Sequence, residues 1–567
     1  MLMWIEFGLV IGAVALAITV PEIGSKFFQF MEQKFGQLAG QKRRAVVIVG
    51  LLALCGRGAL LPILITPDPH INDEFGHLLL ADTLAHGRLA NPTPAMWRHF
   101  ETFHVLMRPT YVSIYPPAQG LALAIGEIIA HHPFVGVWLS VGAMCAAICW
   151  MLQGWVSAEL ALLGGFLAII RLGTFSYWAN SYWGGAVAAT GGALVFGALP
   201  RIFASQRRRD SVILGIGLAI LANSRPYEGL ILSLPVATSL LVWLFLKKES
   251  SPRETVERVF LPLVLVLVIA ALLTGFYLWR VTGSPFRMPE LIDRETYAVV
   301  PFFMWQSPGP EPSYQYEDIR RYYTQNELNF YKSTRTLEGA MGVSVVKLIH
   351  FWFFFLGPVL TLPFIVAVAT SRKKPPQAGA DWKTPFLVSA VIACSLGIAG
   401  EVFFFPHYAA PMTGLAYLLI TMAISKTREY RWRAKPVGLF LVRAMAAIII
   451  LMFILRAGAP LLTLSPTPDF PLTWCNDAPV KTERARLSAL LAQYPGTHLA
   501  VVRYKTNSQS EYDWVYNDAK IDDAKIIWAR DAGASQNKEL TNYYPERKVW
   551  LVEPDEVPPK ISPYSEQ

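Results

Sequence analysis

Long apolar blocks, nearly free of charge, recur along this chain at about 2–20, 45–66, 134–152, 157–171, 184–200, 211–224, 229–246, 258–280, 346–370, 385–402, 411–425 and 437–461. A helix rising about 1.5 Å per residue needs about 20 such residues to cross the hydrocarbon core of a bilayer. The pattern therefore predicts an α-helical polytopic membrane protein with about twelve transmembrane helices. The first block has no basic residues before it and no small-residue cleavage site, so it is expected to be retained as a span rather than removed as a signal peptide. A further apolar stretch, YPPAQGLALAIGEIIA (115–130), is expected to be a short helix lying on the outer surface. Counting it as a span would put the basic RIFASQRRRD (201–210) outside.

After residue 464 the pattern changes. VKTERARLSALLAQYP has helical spacing, HLAVVRY, AKIIWAR and KVWLVEP read as short buried strands, and NKELTNYY reads as a helix between the last two. That order predicts a small C-terminal extracytoplasmic α/β domain with a partly parallel sheet, followed by a loose, Pro-rich end. The expected organisation is an extra N-terminal span and basic linker (1–44), a membrane body (45–463) with outer loops 67–133 and 281–345, and the α/β domain (464–567). Loops that long on a rigid bundle are where binding and chemistry concentrate.

Composition agrees with the pattern: 53% of the 567 residues are hydrophobic and 16% charged, against about 25% charged in soluble domains. The net charge of +9 does not point to nucleic acid. Lys and Arg crowd the short connections 21–44, 201–210, 247–257, 371–384 and 425–435 and are sparse in 67–133, 172–183, 224–228, 281–345 and 403–410. The first set is expected to be cytoplasmic, which turns both long loops and the tail outward. Cys55, Cys145, Cys149, Cys394 and Cys475 show neither a disulfide framework nor metal-type spacing.

Candidate chemistry gathers at the outer face. INDEFGHLLLADTLAHGRLANP (71–92) puts Asp73 and Glu74 straight after the second block. Asn72 is a suitable cap for a helix with Phe75, Leu78 and Leu79 on one side, Asp82 and His86 on another, and Gly87 as its stop. Acids in a first turn also simply complement the helix dipole. Neighbouring positions point about 100° apart, so the two acids suit one base and one supporting acid better than the opposed carboxylates of a glycosidase. In NSRPYEGLIL, Arg225 either pairs internally with Glu228 or offers its donor fork to a phosphate. In EVFFFPHYAAPM, His407 and Tyr408 could donate to an anionic leaving group, although Tyr408 equally suits an interfacial aromatic. Lys347 and His350 open the span after the second loop and could reach the same place. Arg57 lies well inside the second span, where a charge has a role or a partner. The aromatics of RLGTFSYWANSYWGG (171–185) are expected to form an interfacial belt. His70, Asp73 and His77 are weak metal ligands at these spacings, and no Gly-rich phosphate loop supports nucleotide hydrolysis.

NDEFGH after an early span, YPPAQGLALAIG in the same loop, RPYEGL between two spans and HYAAP opening a late one resemble the C-type (GT-C) glycosyltransferase superfamily over about residues 45–425. These multi-spanning enzymes use polyprenyl-phosphate sugars and include protein O-mannosyltransferases and lipid A aminoarabinose transferases. The resemblance implies an inverting transfer with Asp73 as base, Glu74 as its neighbour, Arg225 at the donor phosphate, and His407 and Tyr408 in the late motif. Tyr115 stands where the aminoarabinose branch has Lys before the Pro-Pro pair, and Asn180 is the nearest polar candidate where an acid is often seen in the second outer turn. The implied partners are a polyprenyl-phosphate sugar donor, membrane lipid and an acceptor glycan, lipid or protein, with no nucleic acid, no cofactor and weak support for a divalent metal. The implied location is a bacterial inner membrane, with the active face and C-terminal domain periplasmic. The competing expectation is a transporter or flippase of lipid-linked sugars, for which buried charge near mid-membrane is the sign.

Overall fold

The computed structural model describes residues 2–246, 252–370, 382–459, 473–475, 481–505 and 512–565. Most of the connection 371–384 and the start of the tail lie outside the described residues. Among the described residues, eight helices are long and apolar enough to cross a membrane: Leu2–Thr19, Pro133–Leu152, Ala186–Ser205, Pro226–Phe245, Arg253–Thr282, Leu337–Ala369, Lys383–Gly400 and Val437–Gly458. The four other expected spans are also helices, but of a different kind. Lys42–Ala59 carries Lys42, Arg43, Arg44 and Arg57, while Ala158–Arg171, Arg208–Ala222 and Thr413–Arg428 have 14, 15 and 16 residues. Much of Ala158–Arg171 and Thr413–Arg428 is buried. A helix enclosed by other helices reads as apolar whatever its length.

Helices α1 (Leu2–Thr19), α2 (Ser25–Gly40) and α3 (Lys42–Ala59) lead into α4 (Asn72–Ala85), then α5 (Pro117–Ala130), α6 (Pro133–Leu152) and α7 (Ala158–Arg171). The short 115–130 helix exists as expected. Its backbone meets that of α6 so closely that a Cβ on Gly136 would lie 2.1 Å from Ala122 O, the small-residue approach typical of packed membrane helices. Helix α1 is pinned by a buried charge: Glu6 accepts from Arg171 at 3.4 Å and from the Val359 backbone N–H at 3.2 Å.

Segment 67–133 adds a small hairpin, β1 (Val105–Leu106) with β2 (Val112–Ser113). In the tail, β3 (His498–Val502), β4 (Ile526–Arg530), β5 (Lys548–Glu553) and β6 (Lys560–Pro563) form one sheet in the order β4-β3-β5-β6. Strands β4 and β5 flank β3 in parallel, with Val501 opposite Ala529 and Leu551. All five residues of β3 are buried, as befits a central parallel strand covered on both faces. Helix Ala534–Tyr543 connects β4 to β5. The Pro-rich end is not loose throughout: residues 560–563 pair antiparallel with β5, so Pro563 sits in an edge strand where its missing N–H costs least.

The α/β unit and segment 67–133 share one core. Phe75, Leu79, Phe100, Val105 and Tyr111 pack with Leu499, Val501, Tyr516, Ile527 and Leu540. Phe75 stacks on Tyr516 at 4.2 Å, Asp82 accepts from the Ala519 N–H at 2.7 Å, and Asn72 accepts from the Asp513 N–H at 3.3 Å. The α/β unit therefore grips the helix that carries Asp73.

Candidate functional site

Helix α4 begins at Asn72, and Asn72 is not its cap. Glu74 does that work, because its fully buried carboxylate turns back on the chain. Oε2 accepts from the His70 and Ile71 N–H groups at 3.0 and 3.4 Å and lies 3.2 Å from His70 Nδ1, while Oε1 accepts from the Tyr182 N–H at 2.8 Å. Both oxygens are committed, so the expected pair divides: Glu74 holds backbone and Asp73 stays partly exposed. The one-residue offset on the helix decides this.

Asp73 keeps a quarter of its side chain exposed. Its Oδ1 accepts from the Tyr115 hydroxyl, and His104 Nδ1 lies 3.1 Å from that same hydroxyl and 3.8 Å from Oδ1. Tyr115 has one proton, so having given it to Asp73 it accepts from His104 Nδ1–H. His77, one turn along α4, stacks on the Tyr115 ring at 4.3 Å, and its buried Nδ1 has no hydrogen-bond partner. Burial pushes His77 down to about 3 and lowers His104, leaving both rings neutral.

Opposite stands a cationic shelf. The Arg225 guanidinium lies 4.3 Å over the Tyr408 ring and 3.7 Å from Glu228, so the internal pair exists without absorbing the donor fork. Burial pushes the Tyr408 hydroxyl up; Arg225 opposes this and Asp73 reinforces it, placing all three in one electrostatic field. His407 is buried, with Trp183 at 4.6 Å and Phe405 stacked at 5.8 Å. The Tyr177 hydroxyl accepts from the His407 N–H at 2.9 Å and meets Nδ1 at 2.9 Å. Its single proton therefore goes to Nδ1, and His407 carries hydrogen on Nε2. Burial, then Arg225, holds this ring well below its ordinary value, so His407 offers a neutral donor rather than a cation.

Other expectations are redirected. Lys347 is not free for a phosphate: its ammonium donates to Ile398 O at 3.1 Å and to Glu401 O, capping the end of Lys383–Gly400. His350 lies one turn further on, partly buried. Arg57 finds its partner in Asn180, whose Oδ1 accepts from Nε at 3.0 Å while its amide donates to Thr174 O and Ser176 O. The pair ties the 171–185 loop to α3. Tyr177, Trp178 and Tyr182 are buried, so residues 171–185 form packing and not an interfacial belt. A stretch rich in Trp and Tyr has the same composition in either setting. His70 is engaged by Glu74, while Asp73 and His77 meet Tyr115. Among the described residues no group of three or more His, Cys, Asp or Glu converges as metal ligands.

The sequence pattern marks neither His104 nor Glu290 and offers His77 only as a metal ligand. Glu290, on the helix Pro289–Tyr297 of the second loop, is raised by burial and drawn back by Arg294 and Arg225, so it borders the same shelf. Nothing local marks these residues, because they enter the site from segments far apart in the chain. A crevice of about 230 Å³ opens at the ends of β3 and β4, lined by Tyr316, Arg321, Arg503, Tyr504 and Lys505 among others.

No family model and no curated protein sequence matches the chain. Solved structures do. One is the oligosaccharyltransferase of Archaeoglobus fulgidus tethered to an acceptor peptide, at 11% identity and a TM-score of 0.45, covering 90% of this chain and 69% of that one. The archaeal oligosaccharyltransferase AglB from Archaeoglobus fulgidus, in complex with an inhibitory peptide and a dolichol-phosphate, gives the same identity, TM-score and coverage. ArnT from Cupriavidus metallidurans in the apo state matches at 10% identity and a TM-score of 0.44, covering 90% of this chain and 92% of that one. At this distance the site's chemistry has to be read from this chain's own residues.

Proposed function

We propose that this protein is an inverting glycosyltransferase that moves a sugar from a polyprenyl-phosphate donor to an extracytoplasmic acceptor, at the periplasmic face of a bacterial inner membrane. The observation that carries the reading is Asp73, partly exposed, with Oδ1 taken by the Tyr115 hydroxyl and no hydrogen bond to Oδ2 among the described residues, set in one electrostatic field with the Arg225–Tyr408 shelf. Oδ2 takes the acceptor's proton as the acceptor oxygen or nitrogen attacks the anomeric carbon. The bond to the phosphate oxygen breaks on the opposite face, and its electron pair leaves with the prenyl phosphate. Arg225 faces that developing charge, with the His407 Nε2–H as a neutral donor. Fixed donors of this kind need no reorganisation during the step. The motif resemblance to the C-type superfamily supports the same assignment. The α/β unit, through its grip on α4 and the crevice beside it, is the part that positions the acceptor.

The test is transfer of labelled sugar from polyprenyl-phosphate donors in membranes holding the wild type, Asp73→Asn or Arg225→Ala at matched expression. Transfer by the wild type, loss in Asp73→Asn with donor binding retained, and weakened donor use in Arg225→Ala are expected. Equal transfer by Asp73→Asn removes the base assignment. If no protein transfers sugar but lipid-linked sugar crosses the bilayer, the flippase reading takes over.

A further inference from the structure

We infer that Tyr115 and His104 are positioning residues that select Oδ2 of Asp73 as the proton-accepting atom, by holding Oδ1 in a His104–Tyr115–Asp73 chain of hydrogen bonds. The inference rests on the transferase reading for its role, though its geometry stands alone.

Three independent features build the chain. Tyr115 donates to Oδ1, and the His104 ring meets the Tyr115 oxygen at 3.1 Å. His104 reaches it from a backbone φ of +60°, a left-handed conformation uncommon for a side chain other than glycine and worth a functional reading where it occurs. Gly76 makes room for the ring: a Cβ there would stand 3.0 Å from the Tyr115 ring and 3.3 Å from His104 O. With His77 stacked on it, the ring is enclosed and its hydroxyl cannot swing away.

A carboxylate has two oxygens and about four acceptor positions. Left unheld, Asp73 would rotate, and either oxygen would meet the acceptor at varying distance. Holding Oδ1 fixes the plane of the carboxylate and leaves Oδ2 for the nucleophile, a restriction of the sort that separates a base in position from one merely nearby. During transfer the acceptor's X–H bond breaks and Oδ2–H forms, while Tyr115 keeps its own proton. The proton then leaves to water through the exposed part of Asp73.

The experiment uses the full-length protein in detergent or nanodiscs, with Tyr115→Phe, His104→Asn and the double variant. Two readouts are taken at one fixed pH: kcat and donor KM of sugar transfer per folded protein, and the rate of carbodiimide capture of Asp73 located by mass spectrometry. Tyr115→Phe is expected to lower kcat about 10-fold or more with little change in donor KM, and to raise the capture rate several-fold as Oδ1 is freed. His104→Asn moves both in the same direction by less, and adds nothing in the Tyr115→Phe background, because it acts only through the hydroxyl. Unchanged kcat and capture in Tyr115→Phe, or additive effects in the double variant, would overturn the inference. If the wild type transfers no sugar, the transferase reading fails, and the capture rate alone decides whether Tyr115 holds Asp73. Thermal unfolding reports any loss of folded protein, and a variant that is only destabilised keeps its kcat per folded protein and so counts against the inference.

Discussion

Replacing Glu74 by Gln separates structure from chemistry within the adjacent acid pair. The carboxylate receives three backbone N–H groups, two on Oε2 and one on Oε1, in a fully buried setting. Glutamine keeps the shape but turns one oxygen into an NH2 group. In its better orientation the amide oxygen keeps the His70 and Ile71 bonds, and the NH2 faces the Tyr182 N–H, donor against donor. A hydrogen bond to a charged group contributes about 1.5–3 kcal/mol, and a buried donor left unpaired costs about 1–3 kcal/mol. The retained bonds also weaken as the charge is lost, so the expected destabilisation is about 2–4 kcal/mol. Thermal unfolding of the purified protein, followed by tryptophan fluorescence, should show a lowered midpoint for Glu74→Gln and a wild-type midpoint for Asp73→Asn, with transfer lost in the latter. If Glu74→Gln unfolds with the wild type yet loses transfer, Glu74 belongs to the chemistry and its structural role here is refuted.

Phe75→Ala removes a ring stacked on Tyr516 and topped by Arg484 at 4.8 Å; a loss of about 3–5 kcal/mol should loosen the α/β unit from α4 and open the tail to limited proteolysis. Tyr408→Leu removes the ring beneath Arg225, a contact of about 0.5–2 kcal/mol, and should raise donor KM several-fold in steady-state kinetics with expression unchanged. Burial raises Asp293 and Glu327 of segment 281–345 to about 7 each, and each has a carboxylate oxygen without a hydrogen-bond partner. Carboxyls raised above their unfolded values contribute stability that is full below about pH 4 and is lost as pH rises through about 7; proteolysis within 281–345 should therefore quicken between pH 5 and 8, and Asp293→Asn should flatten that dependence.

Much of the architecture is legible in the chain because it depends on local pattern. Apolar blocks long enough for a bilayer became helices, and the alternation after residue 480 became strands and helices in the order read. Asp73 and Arg225 are legible too, since charge beside an apolar block is conspicuous. What each polar group does is decided elsewhere. Glu74 is spent on Tyr182, 108 residues away, Lys347 on the carbonyls of another helix, and Arg57 on Asn180, 123 residues away. Tyr115 reaches Asp73 across 42 residues, and Thr102 reaches Asp513 across 411. Hydrophobic period is a property of neighbours in sequence, so the chain by itself determined which segments are helices or strands. Hydrogen-bond partnership is a property of neighbours in space, so only the tertiary structure decided which of two adjacent acids is buried under backbone N–H groups and which keeps an oxygen free.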